Sequence, residues 1–192
     1  MRMTIATLSE AARLSRGLSQ TALADKSGHH AGNISAIESG RRVPRVDTLD
    51  RILRTSGARL AISPTVRTTA LEAGAEIRRA LRNGDPSQAF RTWLAFNDDL
   101  AAETPTHRVV LTAFPPQSTG NALYDAALAA LAEYRLAEAS APLPDWVGNT
   151  PGLAQPRVLT DSQYVTAGDL GVVPEPFRRR GVLIDIDSLQ GA

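Results

Sequence analysis

The strongest constraint on the fold is a dense series of helix start and stop signals within residues 17–57. Ser19 is a common helix N-cap, so a helix is predicted to begin at the next residue, Gln20. Gly28 predicts the end of this helix, because the positive φ of a helix-ending turn favours glycine. The helix is therefore short, and the chain must turn directly after it.

A second short helix is predicted after this turn, beginning at His30 or Ala31. Ile34 and Ile37 are spaced three residues apart, which places both of them on its inner face. Gly40 predicts its end. Two short helices joined by a tight turn that contains glycine have the spacing of a helix-turn-helix.

In a helix-turn-helix the second helix lies in the DNA major groove, where its N-terminal residues reach the base edges. Asn33 can form a bidentate pair with adenine, and Ser35 can hydrogen-bond to a base or a phosphate. The Ala31 methyl group can contact the methyl group of a thymine. The candidate DNA-binding residues of this helix are His30, Ala31, Gly32, Asn33 and Ser35.

Three arginines follow the second helix, and the charge of the chain is distributed unevenly. Arg41, Arg42 and Arg45 are predicted to lie beside the phosphate backbone, where arginine adds affinity but little sequence information. Residues 1–63 hold 10 Arg or Lys against 5 Asp or Glu, a net charge of +5, whereas residues 64–192 hold 11 against 15, a net charge of −4. A basic unit of this kind is the expected electrostatic footprint of a nucleic-acid-binding module.

The joint pattern across residues 7–62 resembles a known family. Its elements are the run Gly17-Leu18-Ser19-Gln20, the pairs Leu23-Ala24, Ile34-Ser35 and Ile37-Glu38, and Gly28, Gly40, Pro44 and Leu49. This pattern resembles the phage-repressor helix-turn-helix family (Cro-like, XRE-type). The resemblance implies that Gln20 contacts the DNA backbone and that residues 31–36 read bases. It also implies a structural role for Glu38, which would tie the recognition helix to the loop that follows.

The predicted fold is mainly α with minor β. Residues 1–63 are expected to form a five-helix helix-turn-helix DNA-binding domain, and residues 64–192 a small α+β domain for dimerisation or for binding a partner or ligand. Beyond the two helices already named, helices are predicted over 4–16, after an N-cap at Asp47, and over 65–83, 87–102, 121–139 and 174–180. Strands are predicted over 58–62, 108–114 and 182–186. The first strand would pair with its copy in a second subunit or join the sheet of the second domain.

The residues after position 63 lack the patterns of a serine–lysine site, a paired-histidine metal site and a phosphate-binding loop. No lysine occurs after residue 26 to serve a nucleophilic serine, and His107 is the single histidine after residue 30. No glycine-rich phosphate-binding loop is present. Two carboxylate pairs, Asp98 with Asp99 and Asp185 with Asp187, are better explained as solvated ends of secondary structure than as metal ligands. We therefore expect no enzyme, no cofactor and no metal.

Composition also bounds where the chain is expected to act. It contains no cysteine, which excludes disulfides and cysteine-ligated metals. A basic segment followed by an apolar run is missing, so no signal peptide is expected. No apolar stretch approaches the length of a membrane span. The expected location is the cytoplasm, without membrane partners.

A second resemblance concerns the C-terminal region. It rests on the segments 107–111, 124–125, 143–146 and 176–184. They resemble the C-terminal region of small repressor-type antitoxins of high-GC bacteria, some of which pair with nucleotidyltransferase-like toxins. The resemblance implies a protein that represses its own operon and neutralises a toxin partner. The arginines of residues 178–180 would then face an acidic partner surface, or else form a solvated helix face.

The sequence thus predicts a DNA-binding transcription regulator that is specific for a double-stranded operator. The first interpretation is a homodimeric repressor, which could regulate its own gene. An antitoxin with a protein partner at the second domain and a ligand-responsive regulator stay open as alternatives.

Overall fold

The computed structural model describes residues 5–160, 168 and 171–190 of the chain. The chain divides into two compact units, Met1–Pro64 and Thr65–Ala192. The fold is mainly α with minor β. No helix among the described residues is both long enough and apolar enough to cross a membrane.

Four helices form the described part of the first unit, where five were predicted. They are α1 (Ile5–Leu14), α2 (Gln20–Ser27), α3 (Ala31–Glu38) and α4 (Val46–Thr55). After α4 the chain turns at Gly57, with φ 72°, and residues 58–64 form neither a fifth helix nor the predicted strand. Leu60 is 46% exposed and Ile62 is fully exposed, so within one chain this segment has no packing partner that would stabilise a regular element. Pairing with its copy in a second subunit stays a prediction.

Local capping explains where these helices begin and end. The Ser19 hydroxyl accepts a hydrogen bond of 3.0 Å from the backbone N–H of Ala22, and Gly28 ends α2 with φ 70°. Arg45, rather than the predicted Asp47, is the N-cap of α4, because it directly precedes the helix and its backbone is extended. Asp47 instead lies in the first turn, where a carboxylate is favoured by the helix dipole.

The core of the first unit joins the helix-turn-helix to its neighbours. Its cluster of buried side chains comprises Leu23, Ala24, Ile34, Ile37 and Ile52, all at most 1% exposed. Ala11 and Ala12 of α1 are also buried, whereas Leu14 is 50% exposed at the end of that helix. The two small alanines therefore form the inner face of α1 and allow close packing.

The second unit is built around one central helix. Its described helices are α5 (Ala70–Arg82), α6 (Pro86–Ala101), α7 (Pro105–Thr112), α8 (Ala122–Glu138), α9 (Asp145–Asn149) and α10 (Glu175–Arg179). Twelve of the 17 residues of α8 are buried, and the other five helices all pack against it. A helix that is apolar on nearly all sides forms the interior of a domain.

The predicted strand over 108–114 is wrong, because most of that segment lies in α7. Thr104 caps this helix through its hydroxyl, which accepts from the backbone N–H of His107. Pro105 occupies the first turn, a position at which its fixed φ suits a helix. A short apolar run such as Val109–Leu111 fits a buried strand as well as a helix, so the start signal decides.

The β structure of the described residues is small. β1 (Arg157–Val158) and β2 (Val182–Leu183) pair in parallel, with Arg157 opposite Val182. The strand predicted over 182–186 ends early because a 3₁₀ helix, Ile186–Leu189, follows it. The Asp185 carboxylate caps that helix by accepting from the backbone N–H of Asp187.

The arginine cluster of residues 178–180 is used largely inside the second unit. Arg180 is buried, and its guanidinium donates to Glu133 of α8 at 2.5 Å and to the Val147 carbonyl at 2.8 Å. Arg179 also pairs with Glu133. Arg178 is exposed. Neither expectation for this cluster, a partner-facing surface or a solvated face, describes it as a whole.

Candidate nucleic-acid interface

The helix-turn-helix is formed by α2, the turn at Gly28 to His30, and α3. The backbone N–H of His29 donates to the Ala24 carbonyl at 2.9 Å, which closes the end of α2. His30 is the N-cap of α3, so the helix itself begins at Ala31. The ring nitrogen Nδ1 of His29 lies 2.9 Å from the Ser27 carbonyl oxygen, which anchors that side chain on the turn.

The predicted base-reading residues occupy the N-cap and the N-terminal half of α3. His30, Ala31 and Gly32 are exposed, and Asn33 and Ser35 are half-buried. Ile34 and Ile37, between and beyond them, are buried. The N-terminal half of α3 therefore offers small and polar groups to solvent.

The three predicted phosphate-binding arginines follow α3 and are exposed. Arg41 donates through Nε to the Ser39 hydroxyl at 2.8 Å. Arg45 is 3.7 Å from the Asp47 carboxylate, and its side chain is 90% exposed. An ion pair this exposed contributes little, so the Arg45 guanidinium stays accessible to a phosphate.

Arg42 makes a contact that the sequence did not suggest. Its Nη1 donates to the Asn33 amide oxygen at 2.9 Å. The contact depends on Gly40, whose φ of 73° turns the chain back along α3. Nine residues separate the two side chains, so neither helical periodicity nor local spacing reveals the pair.

Glu38 connects its own helix, α3, to α1 and α2 through hydrogen bonds. Its carboxylate accepts two hydrogen bonds of 2.8 Å from Arg13 of α1 and one of 2.8 Å from the Gln20 amide of α2. The Glu38 side chain is 3% exposed. The pKa of Arg13 is raised, chiefly by its hydrogen bond to Glu38. Glu38 thus has a structural role, but its partners are α1 and α2 rather than the loop that follows α3.

Gln20 and Arg13 both have a partner in Glu38 that the sequence did not predict. Gln20 was predicted to contact the DNA backbone, and one N–H of its amide is already bound to Glu38. An amide nitrogen has two N–H groups, so one is left for a phosphate. Sequence reasoning missed Arg13, because its partner lies 25 positions away.

The two carboxylate pairs of the second unit are occupied by the protein's own groups. Asp99 accepts from the backbone N–H of Thr68 at 2.9 Å and from Arg67 at 3.2 Å. Asp185 accepts from the backbone N–H of Gly171 at 2.8 Å, and this bond, followed by that from Asp187, lowers its pKa. Over residues 5–160, 168 and 171–190, no three His, Asp or Glu side chains are grouped to hold a metal ion.

The geometry of α2, the glycine turn and α3 defines a helix-turn-helix DNA-binding domain. Residues 10–58 match the family model described as Helix-turn-helix, so the first unit contains an XRE-type helix-turn-helix domain and the chain is a DNA-binding transcription regulator. The match lies within the first unit. No curated protein and no solved structure matches the chain.

Proposed function

We propose that the protein is a repressor that binds operator DNA through the N-terminal half of α3. The observation that carries the proposal is the accessible N-terminal half of α3, where His30 to Gly32 are exposed and Asn33 and Ser35 are half-buried. Exposed arginines follow the helix. Asn33 and Ser35 would contact base edges in the major groove. Repression would follow from occupancy, because a protein bound near a promoter blocks the polymerase.

The net positive charge of the first unit supports the proposed affinity for DNA. Arg41 and Arg45 would neutralise phosphates and release counterions, so binding should weaken as salt concentration rises. Each phosphate contact should add about −0.9 to the slope of log affinity against log salt concentration. Because operator DNA is in the cytoplasm of a bacterium, this is the location we propose.

Dimerisation is the second part of the proposal. Two copies of α3, about 34 Å apart, would reach successive major grooves on one face of the duplex. The operator would then be palindromic. We assign dimerisation to the second unit, residues 65–192, which forms its own core around α8.

The toxin-neutralising alternative rests on the resemblance of the C-terminal segments and stays a proposal. The structure changes only its expected contact surface, the arginines of residues 178–180. Arg179 and Arg180 pair with Glu133 instead, which leaves Arg178 as the exposed member without an ion pair among the described residues. No observation favours a small-molecule ligand.

A salt-dependent binding titration tests the proposal. It compares the full-length protein on the DNA directly upstream of its own gene with a scrambled duplex of equal length and composition. Binding at least about a thousandfold tighter to the upstream DNA supports a specific, autoregulatory regulator. Equal, weak and salt-steep binding to both duplexes contradicts autoregulation. Sedimentation of the complex measures whether two protein chains bind per site.

A further inference from the structure

The contact between Arg42 and Asn33 connects the loop after α3 to the residue most suited to read a base. The guanidinium Nη1 of Arg42 donates to the Asn33 Oδ1 at 2.9 Å. Within the described part of the chain, no other side chain hydrogen-bonds to the Asn33 amide. Arg42 is therefore the group that decides how this amide is turned.

The backbone around Arg42 holds this residue beside α3, where its side chain can reach Asn33. The N–H of Arg42 donates to the Ala36 carbonyl of α3 at 3.0 Å. Gly40, in the left-handed region, permits the chain reversal that brings Arg42 back beside the helix. The Arg42 side chain is exposed, so the contact adds nothing to the core. Its position suggests a role in recognition.

The chemistry of the two groups fixes the orientation of the amide. A guanidinium has hydrogen-bond donors and no acceptor, so an asparagine beside it must turn its oxygen toward it. That oxygen keeps a second lone pair, and both N–H groups of Nδ2 have no partner among the described residues. This combination of one acceptor and free donors on one amide is what a bidentate pair with adenine requires.

We propose that Arg42 is a positioning residue for base recognition: it holds the Asn33 amide in the orientation that pairs with adenine. The inference rests on the proposed DNA-reading role of α3. It differs from the sequence-based expectation, in which Arg42 lies beside the phosphate backbone and adds little sequence information. Nε and Nη2 of Arg42 have no hydrogen-bond partner among the described residues, so they can bind a phosphate of the same site.

Selection from a pool of random-sequence duplexes tests this role and does not require a known operator. The full-length protein, Asn33→Ala, Arg42→Ala and the double variant each select DNA at one salt concentration, and the bound fractions are sequenced. Arg41→Ala is the matched control, because it removes an exposed arginine that contacts Ser39 and not Asn33. Circular dichroism of each variant checks that the fold is kept.

Asn33→Ala identifies the base position that Asn33 reads, because the preference for adenine is lost there. If Arg42 positions Asn33, Arg42→Ala reduces the preference for adenine at that same position by at least about twofold. This factor corresponds to the smallest interaction energy that is typical of two residues in contact. The double variant then loses no more preference than Asn33→Ala. Arg41→Ala leaves the preference unchanged and weakens binding to all sequences alike.

Two results would overturn parts of this picture, and they are distinguishable. If Arg42→Ala keeps the adenine preference while weakening all binding as Arg41→Ala does, Arg42 is a phosphate contact and the inference is wrong. The proposed regulator then stands. If the unmodified protein enriches no sequence, the proposed function itself fails, and the inference with it.

A second measurement needs no DNA. The two Nδ2 protons of Asn33 are identified in an amide nuclear magnetic resonance spectrum by their absence in Asn33→Ala. Their chemical shifts should change in Arg42→Ala and stay unchanged in Arg41→Ala. Identical shifts in Arg42→Ala and the unmodified protein would show that Arg42 does not hold the amide.

Discussion

Replacing Arg13 with methionine should destabilise the first unit strongly, because Arg13 is the main partner of a buried carboxylate. Glu38 is 3% exposed in its side chain and Arg13 is 9% exposed. Removing Arg13 deletes two hydrogen bonds of 2.8 Å to Glu38 and one of 2.7 Å to the Leu18 carbonyl. Glu38 is left with the neutral Gln20 amide as its partner.

Breaking a buried ion pair by removing one partner costs about 3–5 kcal/mol. Because Gln20 still donates to the carboxylate, we expect the lower end, about 3 kcal/mol. A unit of 64 residues has a free energy of unfolding of about 3–10 kcal/mol at typical values per residue. The substitution should therefore remove between about a third and all of the stability of this unit.

Urea denaturation measures the effect, with two probes that separate the units. Both tryptophans, Trp93 and Trp146, lie in the second unit, so their fluorescence follows that unit alone. Far-ultraviolet circular dichroism follows the helices of both units. With a urea dependence of about 1 kcal/mol per molar, Arg13→Met should lower the midpoint for the first unit by about 3 M. The fluorescence transition should not move.

Arg54→Met is the matched control. Arg54 pairs with Asp50 at 2.6 Å, as closely as Arg13 pairs with Glu38, but the side chains are 54% and 32% exposed. An exposed pair of this kind contributes at most about 0.5 kcal/mol. The double variant Arg13→Met with Glu38→Met should recover part of the loss, because no unpaired charge is left buried. If Arg13→Met costs no more than Arg54→Met, burial does not govern the strength of this network.

Asn33→Ala should lower the ratio of specific to random DNA binding by about 5- to 150-fold, the value of one bidentate base contact, whereas Arg41→Ala should weaken both equally and reduce the salt slope by about 0.9; titrations at several salt concentrations measure both. Gly28→Ala should cost about 1–2 kcal/mol in urea denaturation, because φ is 70° and no atom lies within 4 Å of the added Cβ, so the cost is conformational. The pKa of Glu103 is lowered, first by the hydrogen bond that it accepts from Thr65 and then by the one that it accepts from His107. The ionised carboxylate is thus favoured in the folded chain, and its contribution, present at neutral pH, is lost as the pH falls through the lowered pKa. Thr65→Ala should raise that pKa toward its ordinary value in a carboxyl-detected titration, and an unchanged pKa would contradict the assigned cause.

The predictions that succeeded depended on signals that lie next to the structure they specify. The Ser19 cap and the Gly28 turn involve residues at most a few positions away, so the start and end of α2 could be derived from the sequence. The mainly helical fold follows from the same kind of signal repeated along the chain. A cap or a positive φ is a local requirement, and a local pattern suffices to detect it.

The failures share a different physical cause. The run Val109–Leu111 has a composition that suits a strand or a helix, and the cap at Thr104 decides between them. Residues 58–62 alternate as a strand does, but a strand needs a neighbour, and the described structure gives them none. Contacts between distant residues were also missed. Glu38 binds Arg13 across 25 positions, and nothing in the spacing of either residue marks the pair.

The pairing of Glu133 with Arg180 determines the order in which the two units can fold during synthesis. Glu133 is on the central helix of the second unit, and its partner follows 47 residues later. That unit can close only after residue 180 has left the ribosome. The helix-turn-helix finds all the partners of its core within the first 64 residues, so it can fold while the second unit is still being made. A nascent chain can therefore carry a finished DNA-binding surface before it has the second unit, to which we assign dimerisation.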